Sequence, residues 1–297
     1  MTVKGLLPAF ACALSLFYLP LPTIWLQRST GFYPERQKTI VRRSTDLAVR
    51  LERKPAQLGI ALERSGKKVA TLSLPQEMAQ VDEIEFTANG RIVILGHVNG
   101  SVRQAVVVDP VKQALIDRFY CYEPVLSPNK RFLVFVKFFP AHFVEGVTYQ
   151  YLLYDLKKSP EANRPKNTTV SDPENVGRPL YPLSAKNQFG DNTGQPASEV
   201  HMLASGTFFW SADSRRVAFA DSHQGVVTLV VVSLIGAEPI ARIAGRELRK
   251  IEVCKPNRDL NSCAFVVSSV GFTSDGVTVA LRASSGKVKD VIEVKYP

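Results

Sequence analysis

Apolar residues in this chain come in short runs separated by turn-forming pairs, and the arrangement repeats. One phrase recurs: an apolar residue, two to four small or polar residues, a turn pair, a cation or polar residue, then an apolar strand. It reads FTANGRIVIL from Phe86, LSPNKRFLVF from Leu126, WSADSRRVAF from Trp210 and FTSDGVTVAL from Phe272, with a weaker copy, LERSGKKVAT, from Leu62. Each copy predicts strand, tight turn, strand. Asn-Gly and Asp-Gly tolerate positive φ in a two-residue hairpin, whereas Asp-Ser and Asn-Lys fit looser turns. A hairpin cannot bury its apolar side alone, so the copies are expected to stack.

Around these phrases the alternation of apolar and polar positions predicts strands in groups. Residues 81–87, 91–98, 102–108 and 113–120 form a first complete unit, and four antiparallel strands in about 40 residues make one propeller blade. A second unit follows at 123–126, 132–138 and 147–156, and a third at 207–210, 216–220, 226–234 and 239–244. The last, at 266–273, 278–283 and 290–296, stops after its third strand. In a closed ring the other terminus supplies the missing strand and removes both open edges. Segments 38–43 and 46–52 have the length to do so.

Blade spacing is irregular. Residues 157–200 are rich in Pro, Asn, Ser, Gly and Asp and predict a flexible surface insertion, or a degenerate blade around 179–183. Residues 248–253 leave room for a further strand pair. The expected fold is all-β, a β-propeller of about four to six four-stranded blades over 58–297.

WSADSRRVAF and LSPNKRFLVF, with the downstream YLLYDL, resemble the repeats of TolB-type and WD-type β-propellers. In those families an aromatic-Ser-Pro-Asp-Gly-Lys phrase opens each blade and the third strand often ends in Tyr-Asp-Leu. This chain departs from the pattern: Pro occurs only at Pro128, the turn Gly only at Gly66, Gly90 and Gly276, and there is no WD dipeptide. The resemblance implies a rigid disc whose loops bind peptides, proteins or cell-envelope components. Fold analogy alone does not establish which.

Charge changes the picture mainly at the N-terminus. The formal net charge is +10, but residues 28–68 hold eleven Lys and Arg against four acids, and the rest is nearly neutral. No nucleic-acid partner is expected from such a distribution. That basic flank, residues 28–57, reads as a linker that is also long enough to carry the ring-closing strand. Before it, Lys4 precedes an uncharged apolar run over residues 5–26, so 1–27 reads as an export signal or a retained anchor. A buried apolar segment of the fold is the third reading. As an anchor, the run would be followed by Arg36, Lys38, Arg42 and Arg43, which the positive-inside bias holds in the cytoplasm and which an anionic membrane surface would attract. Cys254 and Cys263, with eight residues between them, are candidates for a disulfide, which an oxidising compartment would favour. Two unrelated thiols are the alternative.

Catalytic phrases are missing: the sequence has no G-x-S-x-G elbow, no phosphate loop and no metal-spaced histidine pair. No catalytic residue, cofactor or metal ligand is assigned. Asp109 and Asp155, each after a third strand, are expected to cap the next turn. Phe138, Phe139, His142 and Phe143 place aromatic rings in a connection, as a contact patch or as core. The leading expectation is a non-catalytic, extracytoplasmic (periplasmic or secreted) propeller that binds a protein or peptide through loops on one face. An enzyme with its site in the central channel and a lipid-tethered module are the alternatives.

Overall fold

A computed structural model describes residues 40–54, 57–99, 102–137, 147–148, 150–165, 168, 172–181, 201–223, 226–234, 242–247, 265–283 and 288–295. These residues form a series of antiparallel meanders. The first sheet is β1 (Val41–Arg43), β2 (Leu47–Lys54), β3 (Gln57–Arg64) and β4 (Lys67–Ser73), paired in that order. The second is β5 (Gln80–Phe86), β6 (Ile92–His97), β7 (Arg103–Asp109) and the first part of β8 (Ala114–Leu126). The third begins with the second part of β8 and adds β9 (Phe132–Val136); after β10 (Val147–Thr148) come β11 (Tyr151–Asp155) and the edge strand β12 (Arg178–Tyr181).

In the fourth sheet β13 (His201–Leu203) and β14 (Phe209–Trp210) share the edge of β15 (Arg216–His223), followed by β16 (Val226–Ser233) and β17 (Arg242–Glu247). β10 extends this sheet through β13. The fifth has three strands, β18 (Phe265–Phe272), β19 (Gly276–Ala283) and β20 (Val288–Lys295).

β8 does two jobs. Residues 114–121 pair with β7, and Tyr122, Val125 and Leu126 pair with β9. The change of partner occurs where Glu123 takes φ of 44° just before Pro124. Proline has no amide hydrogen to give, so it is tolerated where one ladder ends and the next starts.

Side-chain alternation then stacks the sheets face to face. Ile92, Ile94, Val106 and Val108 pack on Val49, Ile60 and Leu62 of the first sheet. Their neighbours on the other face, Val93, Leu95, Ala105 and Val107, pack with Phe119 on Leu133, Phe135 and Tyr154 of the third. From the third sheet, Val134, Val136 and Tyr151 meet Val217, Phe219 and Val230 of the fourth. Ala218, Ala220, Leu229 and Val231 on the reverse of the fourth meet Val267, Val277 and Val279 of the fifth. Meanders packed consecutively face to face are propeller blades; among the described residues there are five, four of four strands and a last one of three.

Several expectations change. Residues 41–54 fall in the first sheet: β1 pairs with β2, β2 with β3, and among the described residues β20 pairs only with β19. The stretch read as a basic linker is, from residue 41, largely sheet, and Leu47, Val49 and Leu51 lie in the core. LERSGKKVAT forms the β3–β4 turn, joining third and fourth strands where the other copies join first and second. Residues 178–181 are not a degenerate blade but the fourth strand of the third blade. The fourth strand of the fourth blade lies at 242–247 rather than 239–244.

Candidate functional site

Three of the recurring phrases build their turns with one device. Thr87 Oγ1 donates to Asn89 Oδ1 at 2.7 Å, Ser127 Oγ to Asn129 Oδ1 at 2.8 Å and Ser211 Oγ to Asp213 Oδ1 at 2.6 Å. The next residue takes positive φ: Gly90 at 78°, Lys130 at 57° and Ser214 at 60°. Short polar side chains that bond the nearby backbone stabilise such turns. Successive turns also bond each other. Ala88 N donates to Lys130 O (3.1 Å), Asn129 N to Ser214 Oγ (3.0 Å) and Arg216 Nη1 to Thr273 O (2.6 Å). One end of blades two to five is therefore a connected strip of turns.

A cleft of about 780 Å³ opens in this strip between the third and fourth blades. Arg131 and Phe132 line one side, Arg215 and Arg216 the other, with Ser233 and Leu234 where β16 ends. Arg131 and Arg215 hold the same place in their blades. Arg131 N donates to Asn129 Oδ1 (3.0 Å) and Arg131 O accepts from Leu156 N (2.8 Å). Arg215 N donates to Asp213 Oδ1 (3.0 Å) and Arg215 O accepts from Leu234 N (2.7 Å).

Their side chains differ. Arg131 Nε and Nη2 clasp Asp155 Oδ1 and Oδ2 at 3.1 and 2.8 Å, and that bond raises the Arg131 pKa. Asp155 pairs across the sheet with Phe132; in the fourth blade the equivalent pair is Ser233 with Arg216. Serine thus stands where the carboxylate would be. The Arg215 side chain is exposed; among the described residues no hydrogen bond or ion pair holds its guanidinium, and its charge helps to keep Asp213 ionised. Arg216 is committed to Thr273 O and lies over the Phe272 ring at 5.3 Å. The Ser211 hydroxyl and the Arg215 amide hold Asp213 below the usual carboxylate range.

Asp109 and Asp155 cap turns as expected: Asp109 Oδ1 accepts from Val111 N and Lys112 N, and Asp155 Oδ1 from Lys157 N, all at 3.0 Å. Trp210 is part-buried, its ring stacked 6.2 Å from Phe132. Phe138, Phe139, His142 and Phe143, the pair Cys254 and Cys263, and Arg36 and Lys38 lie outside the described residues. Arg42 and Arg43 are both exposed, and Arg42 Nε donates to Ile84 O at 3.1 Å, with Glu85 at 3.6 Å. Arg215 and Ser233 escaped the sequence reading, although comparing YLLYDL with LVVVSL shows the missing acid.

At the opposite end of β15, a second polar cluster joins the same two blades. His201 Nδ1 lies 2.7 Å from Asp221 Oδ2, and Tyr151 donates to Asp221 Oδ1 at 2.6 Å. The His223 ring stacks on His201 at 4.2 Å. Burial and the Asp221 charge push the Tyr151 phenol well up. Asp221 is buried and both its oxygens are used, so the cluster locks blade three to blade four.

No family model matches the chain, and no curated protein is similar to it in sequence. Among solved structures it is similar to a eukaryotic initiation factor (9% identity, TM-score 0.44), covering 88% of this chain and 55% of that one. It is also similar to the Dos1 propeller (13%, TM-score 0.37; 85% and 51% covered) and to TolB from Acinetobacter baumannii (10%, TM-score 0.27; 84% and 52% covered). The chain spans about half the length of each. The fold assignment rests on the succession of blades described above.

Proposed function

We propose that this chain is an extracytoplasmic propeller-type module that binds a protein or peptide partner through the turn end of its blades. One observation carries the reading: a cleft walled by two repeat-equivalent turns, whose backbones are fixed and which present an arginine held by no hydrogen bond or ion pair among the described residues. Fixed walls lower the ordering cost of association, and arginine is favoured at contact surfaces. Export is supported by Lys4 and the apolar run over 5–26.

A photo-reactive side chain at exposed Ala212, in the fourth-blade turn, tests the face used. A second at exposed Asn99, at the other end of the second blade, is the control. Adducts with one protein from position 212 but not from 99 are expected in cells making the chain at native level. Equal capture at both positions, or none at 212, overturns the reading.

A further inference from the structure

We propose that the cleft receives a carboxylate from an acidic peptide segment of the partner, docked on Arg215 as Asp155 docks on Arg131. The inference rests on the reading that the turn end binds a partner, and names what that partner must bring.

The third blade is an internal template. There the arginine backbone is held by Asn129 and Leu156, and its guanidinium grips Asp155 through two parallel bonds. The fourth blade reproduces the backbone part with Asp213 and Leu234, but Ser233 has no carboxylate to offer. Planar guanidinium groups match carboxylates bidentately, and charge-assisted pairs of this kind are the strong ones. Nearby charge is consistent with the assignment. Asp155 neutralises Arg131, while Arg215 and Arg216 together outweigh Asp213. Asp213 Oδ1 takes the Ser211 hydroxyl and the Arg215 amide, and among the described residues no ion pair joins Asp213 to the Arg215 guanidinium, so Asp213 does not hold the place that Asp155 has in the third blade. A short hydroxyl at Ser233 also leaves room for an incoming group.

The template supplies its own test. Ser233→Asp would install in the fourth blade the acid that the third already has, filling Arg215 from within. Arg215→Ala removes the cation, and Arg118→Ala, in the exposed pair with Glu77, removes the same charge elsewhere. Binding of fluorescein-labelled hexa-aspartate to the full chain is followed by anisotropy at low salt, with thermal melts of each variant. Loss of a charge-assisted pair corresponds to about tenfold or more in affinity. Both Arg215→Ala and Ser233→Asp should weaken binding by about that factor, with melting unchanged or, for Ser233→Asp, raised.

Arg118→Ala should stay within about twofold of wild type, as screened surface charge predicts. The proposal is overturned if the peptide fails to bind wild type, if both cleft variants bind as wild type does, or if Arg118→Ala loses as much. Inorganic phosphate competing at far lower concentration than acetate would assign the cleft to phosphoryl groups and overturn the carboxylate. If position 212 still captures a partner while the cleft variants are silent, only the carboxylate fails.

Discussion

At the scale of single residues, the ladder of buried strands fixes where charge is tolerated. Lys137 follows the last residue of β9, and its Nζ donates to Asn175 Oδ1 at 3.3 Å. Burial lowers its pKa from 10.5 to about 8, against the pull of Asp172 and Glu174. The sign of the linkage follows. Between about pH 8 and the ordinary lysine value the folded chain has released a proton that the unfolded chain keeps, so this group adds stability as pH rises. Tyr154 and Cys121 work the other way: burial raises both, and their contribution is lost as pH climbs through their ordinary values. Lys137→Met should be more stable than wild type at pH 7, and the advantage should shrink between about pH 8 and 10.5. Urea melts of both proteins across that range check it, and a pH-independent difference would refute it.

At the scale of elements, the segment between β11 and β12 shows what pins an insertion to a sheet. Arg164 Nη1 and Nη2 donate to Asp117 Oδ2 and Oδ1 at 2.8 and 2.6 Å, Tyr154 donates to Asp117 Oδ2 at 2.7 Å, and the pair is almost fully buried. Gly177 N donates to Asn163 O at 2.7 Å, which brings the chain back to start β12. Breaking a buried pair from one side leaves an uncompensated charge, at about 3–5 kcal/mol. Arg164→Met should lose that much in denaturant melts, and Arg164→Met with Asp117→Leu should recover most of it; equal losses would reject the pair as the pin. The continuous apolar runs of β6, β9 and β15 made both apolar faces legible, because a strand's period of two assigns every residue to a side. β12 was legible only as an isolated signal around 179–183 and not as the edge of a blade: RPLY contains a proline, tolerated because the strand lies at an edge. The partners of 41–54 were hidden too. Alternation in LAVRLE announces a strand but says nothing about which sheet receives it, and Asp117 and Arg164 are brought together only by the fold. Arg215 could have been found by aligning the blades against each other.

At the scale of the whole array of blades, stability has a direction. Sheets two, three and four are covered on both faces by apolar neighbours, whereas the far side of the first carries Arg50 with Glu63 and Glu52 with Lys68 at 3.1 and 2.7 Å. Such exposed pairs contribute little, so that face is a polar cap rather than an adhesive one. In the fifth sheet Ser269 and Gly271 are exposed opposite the face that holds Val267 and Val270. Blades that gain most of their stability from neighbours lose it progressively towards such ends. Amide hydrogen exchange of the full chain should therefore be slowest in β6, β9 and β15, faster in β19, and fastest among the described strands in β4, which carries the exposed Val69. Uniform protection from β2 to β20 would instead mean that the array opens as one unit, with the polar first face contributing as much as the apolar interfaces between blades.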